Sequence, residues 1–195
     1  LIAHQPKQNT RMLNDAEKDE LLKIARNTIR AYLNNGSIPE VNTKFIPEAL
    51  RIQAGAFVTL KKSGNLRGCI GHFEADYPLY KIVQKMAVAS ATQDYRFERV
   101  SPDEMNQIDV EISVLTPMQK LSDVTKIKLG TDGIYISKGS RSATFLPQVA
   151  TDTGWTLEEF LGHCARDKAG IGWDGWKDKD TEIFVYQALL FGEKE

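Results

Sequence analysis

Six consecutive residues, Leu66-Arg67-Gly68-Cys69-Ile70-Gly71, gather the residue types of this sequence most able to do chemistry. A cysteine is a nucleophile as its thiolate, and a nearby guanidinium favours that form. On a regular strand side chains alternate, so Arg67, Cys69 and Gly71 are expected on one face. Gly68, Ile70 and His72 are expected on the other. Arg67 is then the expected activator of Cys69, and His72 is not its expected base. Gly68 and Gly71 lack a β-carbon, which in a strand marks a bulge or the close approach of another backbone or a ligand. Such a stretch can also turn backbone N–H groups toward an anion. A plainer reading stands beside this one: a buried, inert cysteine between packing glycines.

Other candidates lie further along. Asp94 follows a predicted helix, where a carboxylate opposes the helix dipole, and Arg96 is its obvious partner. The pair either shapes an anion site or fixes a loop as a salt bridge. Glu111 and Ser113 sit on the polar face of an otherwise apolar strand, and Glu111 could move a proton or orient Arg67. Gln148 follows Leu146-Pro147 at a helix start, a place for anion binding or for a simple turn. Cys164 shares an apolar helical stripe with Leu157, Phe160 and Leu161 and is expected in the core. His163 has Asp167 as an i+4 partner and is expected at the surface. The stretch Gly170-Ile171-Gly172-Trp173-Asp174-Gly175-Trp176 reads as a lid, or as a loop whose indoles close a gap. His4, His72, His163 and two distant cysteines show no metal-ligand spacing, so no metal is expected.

These residues need a frame. Asn14-x-x-Glu17 is a capping box opening a helix to Leu33, with Asn35-Gly36 as its stop. A short helix begins at Pro47. Strands are predicted at Ala56–Lys62 and Leu66–Phe73, joined by the turn Ser63-Gly64-Asn65. A helix spans Pro78–Thr92, and Ile108–Leu115 alternates strictly as a strand. Gly133–Ser137 and Ala143–Leu146 form a hairpin. Pro147 opens a helical turn that Gly154 ends, and Thr156-x-x-Glu159 caps a helix reaching Lys168. Glu182–Phe191 reads as one last strand. Hairpins outnumber helices and strand–helix alternation is absent. The fold class is therefore α+β with mainly antiparallel sheet and flanking helices.

The chain has 195 residues, 42% of them apolar, enough for one sizeable core or two small ones. With 25 basic and 26 acidic residues the net charge is −1, which lacks the basic excess of most nucleic-acid binders. No apolar run is long enough for a membrane helix, and two cysteines make no disulfide framework. A cytoplasmic setting is expected. Residues 1–13 read as a polar tail or linker, and Leu1 in place of Met suggests the end of a longer chain. Residues 14–192 read as one domain of two interleaved subdomains.

At 66–71 the sequence resembles the signature of the AMMECR-one domain family, known in prokaryotes as AmmeMemoRadiSam system protein A. Asp94-x-Arg96-Phe97, Glu111-Ile112-Ser113-Val114-Leu115, Leu146-Pro147-Gln148-Val149-Ala150, Trp155 with Phe160-Leu161, and Lys168-Ala169-Gly170 match in the family's order. His72 departs from it, where threonine is commoner. The resemblance implies an α+β fold with a larger and a smaller subdomain meeting at a groove near these residues. It implies a pathway shared with a Memo-like protein and a radical-SAM protein, and no assigned activity. On this reading Cys69 and Glu111 would be catalytic, with Arg67, Gly68, Gly71, Asp94, Arg96, Ser113 and Gln148 binding a small anionic or peptide-like substrate. The alternative is a non-catalytic module for a protein partner or RNA, the charge balance favouring protein. No phosphate loop, dinucleotide fingerprint or radical-SAM cysteine cluster is visible, so no cofactor is expected.

Overall fold

The computed structural model describes residues 13–193. The expected tail at 1–13 falls outside these residues except for Leu13, which is buried in the first core rather than extended in solvent. The chain divides into two compact units, Leu1–Leu115 with Leu189–Glu195, and Thr116–Ala188.

In the first unit, helix α1 (Asp15–Asn35) starts at the Asn14–Glu17 capping box and stops at Gly36, which adopts φ 73°. Leu21, Leu22, Ala25 and Ile29 form its buried stripe. Strands β1 (Ala56–Lys62) and β2 (Asn65–His72) form the predicted hairpin, and helix α2 (Leu79–Thr92) follows. Strand β3 (Ile108–Leu115) has the predicted bounds, and its alternate residues Ile108, Val110 and Ile112 are fully buried. With β8 (Ala188–Gly192) they make a sheet ordered β2-β1-β3-β8, so β2 is an edge strand. Its core face carries Ala56, Val58 and Leu60 against residues of α1 and α2.

The second unit has the sheet order β4-β7-β5-β6. Its strands are β4 (Gln119–Leu121), β5 (Gly133–Lys138), β6 (Arg141–Phe145) and β7 (Glu182–Tyr186). Helix α3 (Pro147–Thr153) ends at Gly154, and α4 (Leu157–His163) opens on the predicted Thr156–Glu159 capping box. A π-helical turn over Cys164–Lys168 continues α4. Phe160, Leu161, Cys164, Ile134 and Ile136 form a separate core.

One predicted strand is two. Glu182–Phe191 breaks at Gln187, and β7 and β8 join different sheets. Gln187 leaves the ladder because its polar groups find other partners. Its N–H donates to Thr116 Oγ1 at 2.8 Å, its carbonyl accepts from Thr116 N–H at 2.8 Å, and its side-chain amide donates to Asp132 at 3.2 Å. The fold is α+β with mainly antiparallel sheets, and among the described residues no helix is long and apolar enough to cross a membrane.

Candidate functional site

The β1–β2 ladder is regular from the turn until Lys61 pairs with Leu66, then slips so that Leu60 pairs with Gly68 and Thr59 with Cys69. Arg67 is the extra residue, a β-bulge. The bulge overturns the expected Arg67–Cys69 neighbourhood. Arg67 leaves the ladder, and its guanidinium donates to Glu104 at 3.0 and 3.3 Å and to the carbonyl of Glu98 at 2.7 Å. Glu104, which also receives Lys62 at 2.9 Å, is held at a pKa of about 2, first by Arg67 and then by Lys62. Arg67 thus belongs to an ion-pair cluster with Glu104 and Lys62.

The guanidinium that reaches Cys69 belongs to Arg96, through the backbone carbonyl. Asp94 follows α2 directly after its cap and is buried, and Arg96 grips it through Nε at 2.9 Å and Nη2 at 2.7 Å. Asp94 Oδ2 also accepts the N–H of Cys69 at 2.9 Å, while Arg96 Nη2 donates to the carbonyl of Cys69 at 3.3 Å. The two side chains thus satisfy both outward backbone groups of Cys69 on an edge strand, as a neighbouring strand would. The Arg96 hydrogen bond, opposed by burial and aided by the Cys69 N–H, holds the Asp94 carboxyl down at about 2. The pair forms the expected salt bridge and also caps the edge of β2.

With its N–H and C=O turned away from β1, Cys69 faces Thr59 as a non-hydrogen-bonded pair, the arrangement that brings side chains closest. Thr59 Oγ1 lies 3.2 Å from Cys69 Sγ and donates to it. Thr59 pairs in turn with Glu111 on β3, so Cys69, Thr59 and Glu111 form one row across three strands. Glu111 does not orient Arg67; it binds Lys61 at 2.6 Å. Ser113, next on that face, is buried opposite Phe57. Cys69 itself is half-buried.

The two glycines have separate reasons. A β-carbon on Gly68 would stand 2.2 Å from the backbone oxygen of Ser90, so Gly68 admits helix α2 against the strand. That approach seats the Ser90 hydroxyl between the strands, accepting from Ile70 N–H at 2.9 Å and donating to Val58 C=O at 2.7 Å. A β-carbon on Gly71 would meet the Phe57 ring at 2.3 Å. Neither glycine leaves a backbone N–H for an anion at Cys69 or Ile70, since Asp94 and Ser90 take both. His72 lies opposite Ala56 rather than on the Thr59 face, and its Nε2 meets Asp76 at 2.9 Å. His72, Glu74 and Asp76 bring ligand atoms within 4.8 Å of one another, on exposed or half-buried side chains.

In the second unit, burial pushes the Cys164 thiol up to about 12. His163 meets Asp167 at 2.6 Å through Nδ1, as expected, and is stacked on Trp155 at 4.0 Å with Trp173 edge-on at 5.0 Å. Trp173 covers Gly162, where a β-carbon would come within 2.5 Å of the indole, and Trp176 packs on the second core. The gap-closing reading of the glycine-rich loop fits these contacts. Gln148 stands half-buried in the first turn of α3. Sequence reasoning does not single out Thr59, Lys61 and Glu104 as partners of Cys69, Glu111 and Arg67, nor Ser90 as the hydroxyl between the strands. The bulge that pairs Thr59 with Cys69 has a signal in Gly68, a residue that bulges favour.

The AMMECR1 family model matches residues 22–191. This chain belongs to the AMMECR1 family. A protein of Methanothermobacter thermautotrophicus is 40% identical over 190 residues, covering 93% of this chain and 96% of the relative. Protein MK0488 of Methanopyrus kandleri is 40% identical, covering 92% and 89%. A crystal structure of the uncharacterized protein PH0010 from Pyrococcus horikoshii matches with a TM-score of 0.88 at 38% identity, covering 93% and 94%. The AMMECR1 relatives thus extend over nearly the same length as this chain.

Proposed function

We propose that this AMMECR1 protein is an enzyme component that acts through Cys69, attacking or holding a small anionic or peptide-like substrate on the Thr59–Glu111 face of the first sheet. One observation carries this reading: Cys69 is half-buried and its sulfur accepts a hydroxyl hydrogen bond from Thr59, whereas Cys164 is buried. A hydrogen bond donated to sulfur is an interaction that a nucleophilic cysteine can use. Glu111, paired with Lys61 and two strands from Cys69 beyond Thr59, would handle a proton of the bound substrate. On this reading the step would belong to a pathway with a Memo-like and a radical-SAM protein, as the family resemblance implies.

The test is alkylation with iodoacetamide at pH 7, resolved by peptide mass. An ordinary thiol, with a pKa of about 8.5, is only a few per cent thiolate there. Cys69 is expected to react roughly tenfold faster than a cysteine in an unstructured peptide, while Cys164 stays unmodified in the folded protein. Cys69 reacting no faster than the peptide ends the nucleophile reading.

The second reading, a non-catalytic module for a protein partner, draws on Tyr95. This ring is 96% exposed, between the two residues that cap Cys69. Exposed tyrosines beside a fixed backbone are frequent anchors of protein interfaces. If Cys69→Ala binds the Memo-like partner as wild type does and Tyr95→Ala does not, docking is the function. Binding of a single-stranded RNA probe that weakens steeply with salt would point instead to RNA.

A further inference from the structure

Away from Cys69, a cavity of about 420 Å³ opens between the loop Ile38–Thr43 and helix α2. Ile38, Pro39, Val41 and Tyr80 supply apolar wall, and Glu40, Lys81, Gln84 and Lys85 supply polar groups. The size is that of a small-molecule site.

Gln84 is the informative residue. It is 5% exposed and yet lines this cavity. Its side-chain amide donates to Thr28 Oγ1 at 3.1 Å and to the carbonyl of Pro39 at 2.9 Å. A carbonyl oxygen can only accept, so the group facing Pro39 is the amide nitrogen. Both amide hydrogens are thereby used, and the orientation of the side chain is fixed. The other end, Oε1, has no donor among the described residues. With no donor from the chain itself, this oxygen is an acceptor open to the cavity, where it takes a hydrogen bond from water or from the N–H of a bound molecule.

The remaining groups complete a pattern. Lys81 and Lys85 lie one turn apart on α2, and neither forms an ion pair among the described residues; Lys85 sits 3.6 Å above the Tyr77 ring. Two ammonium groups suit a carboxylate. Glu40 and Gln84 Oε1 both ask for an N–H. The apolar wall suits an aliphatic side chain. We infer that this cavity binds an amino acid, its carboxylate toward Lys81 and Lys85, its N–H toward Gln84 and its aliphatic side chain on Ile38, Val41 and Tyr80. The amino acid is either free or the last residue of a peptide. This site is separate from Cys69 and does not depend on the role proposed there.

Titration of the full chain, followed through its 15N–1H spectrum, tests the inference with three probes. L-leucine stands for the free amino acid, N-acetyl-L-leucine for a peptide end, and 4-methylpentanoate lacks the N–H. Saturable shifts of the Gln84 side-chain amide are expected with L-leucine, N-acetyl-L-leucine or both at up to about 10 mM, the better ligand identifying the source. The 4-methylpentanoate control is expected to bind roughly tenfold more weakly. Lys81→Ala/Lys85→Ala, a change confined to exposed side chains, and Val41→Trp, which fills the cavity, are expected to weaken binding by a similar factor. The spectrum reports whether each variant is folded. Absence of saturable shifts with both amino-acid probes overturns the inference. So does equal binding of 4-methylpentanoate, or undiminished binding by the double lysine variant.

Discussion

Asp94→Asn isolates the charge that caps the edge of β2. Asparagine keeps an oxygen for the Cys69 N–H but presents an NH2 group where Arg96 needs an acceptor, so the variant loses the ion pair and keeps the shape. The magnitude follows from the titration of Asp94. Each tenfold in a proton equilibrium is worth about 1.4 kcal/mol, and the carboxyl descends from 3.8 to about 2 on folding, an interaction of about 2 kcal/mol. Arg96 is 45% exposed, so solvent screens part of this and about 1–2 kcal/mol is expected at neutral pH. For a chain of this length that lowers Tm by about 2–8 °C. The folded carboxyl has the lower pKa, so its contribution is complete above about pH 4 and disappears as pH falls through about 2. Glu104 titrates in the same range, but it is common to both proteins and cancels in their difference. Urea unfolding of wild type and Asp94→Asn from pH 7 down to the lowest pH at which both fold measures the gap. A constant gap down to about pH 4 that narrows below it is expected. A gap absent at pH 7, or undiminished on acidification below pH 3 or so, refutes the edge-cap account.

Gly68→Ala forces a methyl against the Ser90 carbonyl, 2.2 Å from the β-carbon position, and is expected to cost roughly 1–3 kcal/mol by urea unfolding. Ser90→Ala removes the hydroxyl joining Ile70 N–H to Val58 C=O; two poorly served backbone groups should cost about 1–3 kcal/mol, and hydrogen exchange at Ile70 should accelerate. Gly162→Ala displaces the Trp173 indole, 2.5 Å from the β-carbon position, and should change the near-UV circular dichroism while leaving Cys69 alkylation unaltered.

The parts of the fold written in local chemistry were legible. The Asn14–Glu17 and Thr156–Glu159 boxes start helices because a side chain and a backbone N–H three residues apart satisfy one another, whatever the rest of the chain does. Strict alternation placed β3 to the residue, since one of its faces is wholly apolar. Long-range pairing was not legible. The strand β4 has three residues and no apolar alternation, and it pairs with β7, far along the chain. The break at Gln187 depends on Thr116 and Asp132, both more than fifty positions away. At the candidate site the error has one source. Counting from the turn, regular alternation placed Arg67 beside Cys69, and a single bulge residue changed the partner of every residue beyond it. The choice between an inert and a polar-flanked Cys69 depended on Thr59 and Arg96, which only the register and the α2 exit loop bring near.

The edge position of Cys69 and its chemistry belong to one arrangement. An unpaired strand edge invites another strand, and proteins suppress that with charge or cover. Here the cover is a bidentate Asp94–Arg96 pair that grips the backbone of the one cysteine with a polar environment. Capping by side chains takes the place of a further strand at this edge, and it uses the Arg96 guanidinium twice, on the Asp94 carboxylate and on the Cys69 carbonyl. The thiol is consequently fixed from three directions: the backbone by Asp94 and Arg96, the sulfur by Thr59, and the strand itself by Ser90 seated through Gly68. Groups held in this way lose little entropy when a ligand arrives, which is the condition a reacting or binding centre requires. The glycines of the Leu66–Gly71 segment therefore serve the site without touching a ligand: they let a helix and an aromatic ring close in, and those neighbours hold the cysteine in place.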